Sequence, residues 1–477
     1  MTKLLIIVFG MLTISFLFAN NVDDAISAIA LENAALKRDA QLCDTKITEL
    51  RSTDPVFAKQ DKFESDKAYL SRICTAAPKI IALKKQYISP HLAKLDSLRS
   101  VTAYTKEVKL EFYDYDANTS EISMFVYSDK YPNIGYNIVT PMEPKLARFA
   151  FEHPDSIIVK ALAYISVYDM VAFYTVFVGL HEYMGQTIFI NSDMMIAEFN
   201  SVCFSDDGRF MAHDFGKNQP SKIWLGVSTR DITSIDTLFT SVESPVTCIA
   251  LSPDGRYLAV GANSFETDLW VFDVRTGSIL FTDRVAGGIF SIDFSPDGRL
   301  LAVGGGFSFS DCVARIYEVE TSKMLFNFAS YHVISKVEFS PDQKYVASAG
   351  HSLVVWDLKT LEKYLDIYSY KDLKTMAFHP DGNMLVTGGT YDGFKLYDLA
   401  AKKLTNAYEL DKHVNSVSFN YKGNLLALWM DEVKVLDISS MNYIRRFKSL
   451  GGGVFKPGSD WIVSPKRQCK IDVKWEF

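Results

Sequence analysis

Leu251-Ser-Pro-Asp-Gly255 is the stretch of sequence that decides the fold of the C-terminal part of this chain, because it recurs. Its copies are Phe204-Ser-Asp-Asp-Gly208, Phe294-Ser-Pro-Asp-Gly298, Phe339-Ser-Pro-Asp-Gln343, Phe378-His-Pro-Asp-Gly382, Phe419-Asn-Tyr-Lys-Gly423 and a degenerate seventh, Phe455-Lys-Pro-Gly458. The first residues of successive copies are 36 to 47 residues apart. Repetition at such a period indicates an array of similar structural units, each burying its apolar face against its neighbours.

Each unit predicts four antiparallel strands. An apolar strand such as Val246 to Leu251 ends in a Pro-Asp-Gly turn, in which Gly takes the positive φ of a tight hairpin. A strand of small residues follows, for example Tyr257-Leu-Ala-Val-Gly261, and then a third strand with an aromatic residue, as in Leu353-Val-Val-Trp356-Asp357. The fourth strand is polar. Four-stranded units with a period near 40 residues predict a β-propeller.

The repeats resemble the WD-repeat family over about residues 186–477. Trp356-Asp357 preserves the name-giving dipeptide, and the related pairs are Phe272-Asp273, Tyr317-Glu318, Tyr397-Asp398, Leu436-Asp437 and Trp475-Glu476. The family's buried His–Ser/Thr–Asp–Trp hydrogen-bond set is complete in no repeat. The resemblance implies an all-β, seven-bladed propeller that binds a protein or an extended peptide. It also implies that His332 and His413 stand where repeats of this family often place a histidine with a structural role.

The first residues predict an export signal. Lys3 is followed by an apolar stretch from Leu4 to Phe18, and Ala19 offers a small residue for cleavage. We expect a cleaved signal peptide over residues 1–19 and a periplasmic or secreted protein. The alternative is a retained N-terminal membrane anchor. No later stretch is apolar enough to predict a membrane span after signal removal.

Residues 22–103 predict helices. Apolar positions three and four residues apart form one stripe: Ile26, Ile29, Asn33, Leu36, Ala40, Cys43, Ile47 and Leu50. Ser52 to Pro55 break the pattern, a second stripe contains Leu70, Cys74, Ala77 and Ile81, and Pro90 opens a third helix. These features predict a small helical bundle or coiled-coil-like segment, which we favour over a helix lying on a lipid surface.

Residues 104–183 change to a period of two and predict a small α+β module. Val108 to Phe112 and Glu121 to Tyr127 alternate like half-buried strands. Pro144 to Phe151 predicts a short helix, and two further strands are expected over Ile157 to Val167 and Met170 to Leu180. The seven-bladed propeller then occupies residues 186–477. We expect its last blade to take an outer strand from residues 186–191, which would join both ends of the domain in one sheet.

The six cysteines contain none of the CxxC pairs of zinc or redox sites. Cys43 and Cys74 both lie in apolar helical stripes, so we predict a disulfide between them if the export signal acts. The alternative is a buried pair of free thiols.

No catalytic, metal or cofactor motif is found. A net charge of −7 argues against nucleic-acid binding, and the eight histidines lack metal-site spacing. We therefore expect a non-catalytic scaffold, without a cofactor, that binds a protein or peptide partner. The oligomeric state stays open. The alternative is a cell-envelope propeller enzyme of the hydrolase or lactonase type.

The candidate partner-binding residues lie in long loops between the second and third strands of the first three repeats. These loops contain Phe215, Phe265, Phe307 and Phe309. Aromatic residues in exposed loops are unusual unless they bind or pack. The rings therefore contact either a partner or the preceding modules of the chain.

Overall fold

A computed structural model gives the fold of the chain. It describes residues 22–99, 101–105, 108–130, 135–141, 144, 147–148, 152, 158–165, 171–180, 184–189, 202–205, 210–214, 223–227, 246–263, 268–274, 276–285, 287–306, 313–329, 332–369, 372–390, 393–410, 412–448, 454–455, 461–464 and 467–470. Described residues within Met1–Ala35 and Ala93–Met194 form one compact unit, and those within Leu36–Leu92 and Met195–Phe477 form a second.

The predicted helical segment contains three helices, α1 (Val22–Thr53), α2 (Asp66–Tyr87) and α3 (Ser89–Arg99). A 3-10 turn, Pro55–Phe57, follows the predicted break and begins at Asp54, whose carboxylate accepts the Val56 amide. Ser65 caps α2 by accepting the Ala68 amide through its hydroxyl. Among the described residues, no helix has both the length and the apolar character needed to cross a membrane.

In the part of the first unit that the structure describes, two antiparallel sheets are ordered β2-β3-β4 and β1-β5-β6-β7. The predicted alternation in β3 is confirmed, since Ile122, Met124 and Val126 are buried. The strands are β1 (Thr102–Thr105), β2 (Lys109–Asp116), β3 (Glu121–Tyr127), β4 (Gly135–Pro141), β5 (Ile158–Ile165), β6 (Val171–Leu180) and β7 (Met184–Phe189).

The described residues of the second unit form seven meander sheets in chain order. Five are four-stranded, and β8–β10 and β31–β33 form three-stranded sheets at the two ends of the series. The strands are β8 (Val202–Phe204), β9 (Phe210–Asp214), β10 (Ile223–Val227), β11 (Val246–Leu251), β12 (Tyr257–Ala262), β13 (Leu269–Asp273), β14 (Ser278–Asp283), β15 (Ile289–Phe294), β16 (Leu300–Gly305), β17 (Val313–Glu318), β18 (Lys323–Ala329), β19 (Lys336–Phe339), β20 (Tyr345–Ala349), β21 (Ser352–Asp357), β22 (Glu362–Tyr368), β23 (Leu373–Phe378), β24 (Met384–Gly389), β25 (Phe394–Asp398), β26 (Lys403–Tyr408), β27 (Ser416–Phe419), β28 (Leu425–Trp429), β29 (Glu432–Asp437), β30 (Tyr443–Lys448), β31 (Val454–Phe455), β32 (Trp461–Ser464) and β33 (Arg467–Lys470).

The recurring Ser-Pro-Asp-Gly stretch is a hydrogen-bonded turn between the first two strands of a sheet. The Ser252 hydroxyl accepts the Tyr257 amide at 2.8 Å and donates to Asp254 at 2.6 Å. Gly255 has φ +72°, which an L side chain rarely adopts. The same contacts recur at Ser295 and Ser340. The motif therefore fixes the register of each sheet locally.

Small residues in the second strand let neighbouring sheets pack closely. A Cβ added to Gly304 would lie 2.6 Å from Val337 of the next sheet, and one added to Gly388 would lie 2.6 Å from Val414. Such distances are far below van der Waals contact, so glycine is required there. This side-by-side packing of antiparallel sheets is consistent with a β-propeller.

The prediction that residues 186–191 supply the outer strand of the last blade is wrong. β7 contains residues 186–189 of the segment expected to complete the last blade, but it pairs with β6 from Thr175↔Phe189 to Leu180↔Met184. Its similarity to the fourth strand of a repeat reflects a generic alternating pattern, and pairing with the adjacent strand requires only a short connection. The segment therefore belongs to the first unit.

Candidate interaction surfaces

The propeller has two faces that differ in the connections they carry. The turn face holds the hairpins between the first and second strands and between the third and fourth strands of each sheet. The loop face holds the remaining connections, including those between successive sheets. Because strands alternate in direction, every connection is assigned to one face by its place in the meander.

Helix α2 packs on the turn face between the sheets β15–β18 and β19–β22. Leu70 and Ile73 are 0% and 1% exposed and share one hydrophobic cluster with propeller residues. The propeller residues of this cluster include Leu300, Leu325, Phe339, Val346, Leu358 and Leu361. Another side of α2, with Ala76 and Ile80, packs against Cys43 and Ile47 of α1. The helical segment from 36 to 92 is thus part of the propeller unit.

A buried polar network joins α2 to the β15–β18 sheet. The Tyr69 hydroxyl donates to Glu318 at 2.5 Å, and Arg299 forms an ion pair with the same carboxylate at 3.2 Å. The Arg299 guanidinium lies over the Phe57 ring, 5.6 Å from its centroid. Burial, together with the Glu318 carboxylate, raises the pKa of Tyr69 well above its ordinary value. The Glu318 carboxylate balances the Arg299 charge, although Arg299 Nη1 is buried without an acceptor in the structure.

Polar tethers surround this interface. Arg51 and Lys84 donate to the backbone carbonyls of Asp297 and Pro296, at 3.2 and 2.5 Å. Lys323 forms an ion pair with Asp66 at 2.5 Å. Backbone carbonyls of the turns therefore serve as acceptors for side chains of the helices.

The predicted disulfide is wrong, because Cys43 and Cys74 are both free and buried in the structure. Cys43 lies in the cluster between α1 and α2, whereas Cys74 lies in the cluster between α2 and the propeller. The two thiols are thus on different sides of α2. Burial raises the pKa of Cys43 to about 11, and it raises that of Cys74 further.

The first strands of five successive sheets, β15, β19, β23, β27 and β31, line a channel of about 690 Å³. The free edges of β19 and β23 are satisfied by side chains of the preceding sheet: Asp293 accepts the Phe339 amide at 2.7 Å, and Glu338 accepts the Phe378 amide at 2.9 Å. Burial raises the pKa of Glu338, while Lys336 and the Phe378 amide oppose the shift. The two channel carboxylates thus link neighbouring blades.

A cluster of rings lies on the loop face of the β19–β22 sheet. His332 and His351 stack with centroids 4.7 Å apart, and Tyr368 lies 6.4 Å from His332. Tyr368 is 59% exposed, although tyrosine usually buries its ring. His351 pairs with Asp372 at 3.0 Å. We call His332, His351 and Tyr368 the ring cluster. It offers a partner stacking surfaces, hydrogen-bond donors and an adjacent carboxylate.

The four phenylalanines predicted to bind a partner, Phe215, Phe265, Phe307 and Phe309, lie outside the described residues. The structure instead shows the ring cluster on the loop face. The resemblance to the repeat family implies a structural position for His332, and no sequence motif marks Tyr368. One sequence feature could have indicated this surface: Tyr368 ends a polar fourth strand, where the chain returns to the loop face.

Comparison with known proteins agrees with this geometry. The family described as "WD domain, G-beta repeat" matches residues 232–273, 279–318 and 365–398. The chain contains WD repeats. The matched segments fall in three of the predicted repeats, and the residues before 232 match no part of the family. No curated protein sequence matches the chain. The family places the protein among propellers that commonly mediate protein interactions.

Proposed function

We propose that this WD-repeat protein is a non-catalytic, exported scaffold that binds a protein or peptide partner on its loop face. The ring cluster supports this proposal most strongly, because exposed tyrosine rings such as that of Tyr368 are frequent anchors of protein interfaces. The turn face of the same sheets is occupied by α2, so a partner meets the propeller more readily from the loop face.

Partner capture from the cell envelope tests the proposal. The double variant His332→Ser/Tyr368→Ser should weaken capture by about tenfold or more, since central aromatic anchors dominate binding energy. Tyr443→Ser is the matched control, because Tyr443 is 37% exposed on the outer strand β30 and lies far along the chain from the ring cluster. Equal capture by all three proteins would contradict the proposal. Phe307→Ser/Phe309→Ser tests the loop residues named from the sequence in the same assay.

Catalysis is the second candidate function, and the His351–Asp372 pair favours it. A carboxylate that orients an imidazole is a recurring part of hydrolytic sites. The channel carboxylates Asp293 and Glu338, in contrast, accept backbone amides of the next blade. Turnover of an ester or lactone panel that disappears in His351→Ala would favour a hydrolase. Unchanged background hydrolysis in that variant supports the scaffold.

Export and closure are further parts of the proposal. The charged and apolar order of residues 3–19 supports a signal peptide. Sequencing the N-terminus of the protein recovered from its own cells should give a chain starting near residue 20, and an intact Met1 in the cytosol would contradict export.

The seven successive sheets support a closed seven-bladed ring. Particle images along the channel should show seven lobes, and an open arc would contradict closure.

A further inference from the structure

A cleft of about 480 Å³ lies on the turn face, beside the region that α2 covers. One wall comes from the ends of α1 and α2, and the other comes from turns of the sheets β11–β14 and β15–β18. Three cations and three carboxylates line it: Arg51, Lys84, Arg256, Asp44, Asp254 and Asp297. Ile47 and Val274 add an apolar surface. A volume of this size is within the usual range for small-ligand pockets.

The guanidinium groups of the cleft are only partly engaged by acceptors. Arg51 Nη2 donates to the Asp297 carbonyl oxygen at 3.2 Å. Arg51 Nη1 lies 3.5 Å from Glu320, and its buried Nε has no acceptor in the structure. Arg256 Nε lies 3.8 Å from Asp273. A buried donor without an acceptor costs stability, and charged groups cost more than neutral ones. The cleft therefore offers positive groups whose hydrogen-bonding capacity is incompletely used.

Among the carboxylates of the cleft, Asp297 has an oxygen atom that lacks a hydrogen-bond donor. Asp297 is only 4% exposed, and its Oδ1 accepts the Ser295 hydroxyl and the Arg299 amide. Its other oxygen, Oδ2, is buried without a donor. Asp254 likewise uses Oδ1 for the Ser252 hydroxyl and the Arg256 amide. One region thus holds both an unsatisfied carboxylate oxygen and an unsatisfied guanidinium nitrogen.

We propose that this cleft binds a zwitterion of the amino-acid type, such as a short peptide with free termini. The ligand's carboxylate faces Arg51 and Arg256, its ammonium group faces the carboxylates, and an apolar side chain packs on Ile47 and Val274. Equal numbers of cations and carboxylates disfavour a simple anion, which three carboxylates would repel. No cluster among the described residues has the ligands for a metal ion. The proposal is independent of partner binding on the loop face.

Calorimetric titration of the full-length protein with the tripeptide Ala-Leu-Ala tests the site. The free peptide should bind, and the same peptide with an acetylated N-terminus and an amidated C-terminus should bind at least about tenfold more weakly, as expected when charged hydrogen bonds are lost. Equal binding of both peptides would overturn the proposal. Absence of binding by free peptide and free leucine would also overturn it, since the cleft would then hold only water.

Two variants locate the site. Arg256→Gln should weaken binding of the free peptide by about tenfold. It should leave unchanged the binding of Ala-Leu-Ala amidated at its C-terminus only, because that peptide already lacks the carboxylate that Arg256 would bind. Lys344→Gln is the matched control, since Lys344 follows the same turn of another blade and does not line the cleft. A similar loss in both variants, or the same loss for both peptides, would refute the assignment. Tight binding of pyrophosphate with no peptide binding would indicate an anion site instead.

Discussion

The turn face and the loop face of the β19–β22 sheet differ in what covers them. On the turn face, Leu70 and Ile73 of α2 are almost fully buried against the propeller. On the loop face, Tyr368 is 59% exposed beside two stacked histidines. Both faces have aromatic and apolar side chains, but the chain itself supplies the ligand for only one of them. An intramolecular helix avoids the translational and rotational entropy cost of association, so it covers its face with an advantage over a separate partner.

The comparison predicts the largest effect for truncation of a side chain under α2. Leu70→Ala should lower the free energy of unfolding by about 2–5 kcal/mol, because it leaves a cavity in a cluster shared by the helix and two sheets. Leu42→Ala is the matched control on α1, where Leu42 is 43% exposed and a change within about 0.5 kcal/mol is expected. Urea denaturation measures both. Equal effects would show that α2 does not pack as described.

A pair of tyrosines gives an intermediate effect. Tyr69→Phe removes the hydroxyl that donates to buried Glu318, so it should cost about 1–3 kcal/mol of unfolding free energy. Tyr368→Phe on the loop face should change stability by less than about 0.5 kcal/mol, since most of that ring is exposed. The reverse order of the two effects would contradict the contrast between the faces.

The smallest effect concerns the rim of the helix interface. Hydrogen bonding to Lys323 holds the pKa of Asp66 below its ordinary value. A lowered carboxyl pKa adds stability above the unfolded-state value of about 3.9 and loses it as the pH falls through the folded-state value. Both side chains are more than 40% exposed, so Lys323→Met should cost less than about 1 kcal/mol at pH 7. The difference from the native protein should vanish near pH 2, and a difference that grows on acidification would exclude this pair as its source.

Local chemistry explains which parts of the fold were predictable. Ser252, Asp254 and Gly255 form a turn within a few residues of chain, so their repetition predicts the sheets directly. The role of α2 was not predictable in this way. Its apolar positions indicate a buried face, but the same stripe suits another helix or a sheet. The stripe alone therefore indicates a separate bundle with a disulfide, whereas the structure places Cys74 against the propeller.

Contacts between residues far apart in the sequence explain the other differences between the predicted and the observed structure. The segment 184–189 alternates like an outer propeller strand, yet β6 provides a nearer edge and pairs with it. The ring cluster combines residues from two loops and one strand end, namely His332, His351 and Tyr368. No spacing rule joins these residues, because their proximity results from the meander of a complete sheet. Sites on a propeller face are thus set by topology.

Native-state hydrogen exchange of the full chain tests most directly whether α2 is part of the propeller. Amides of residues 69–80 should exchange with the same free energy of opening as those of β15–β22, because one hydrophobic cluster holds them together. Leu70→Ala should accelerate both regions in parallel. If residues 69–80 exchange far faster than these strands, the helix is only loosely attached, and the turn face is then as accessible to partners as the loop face.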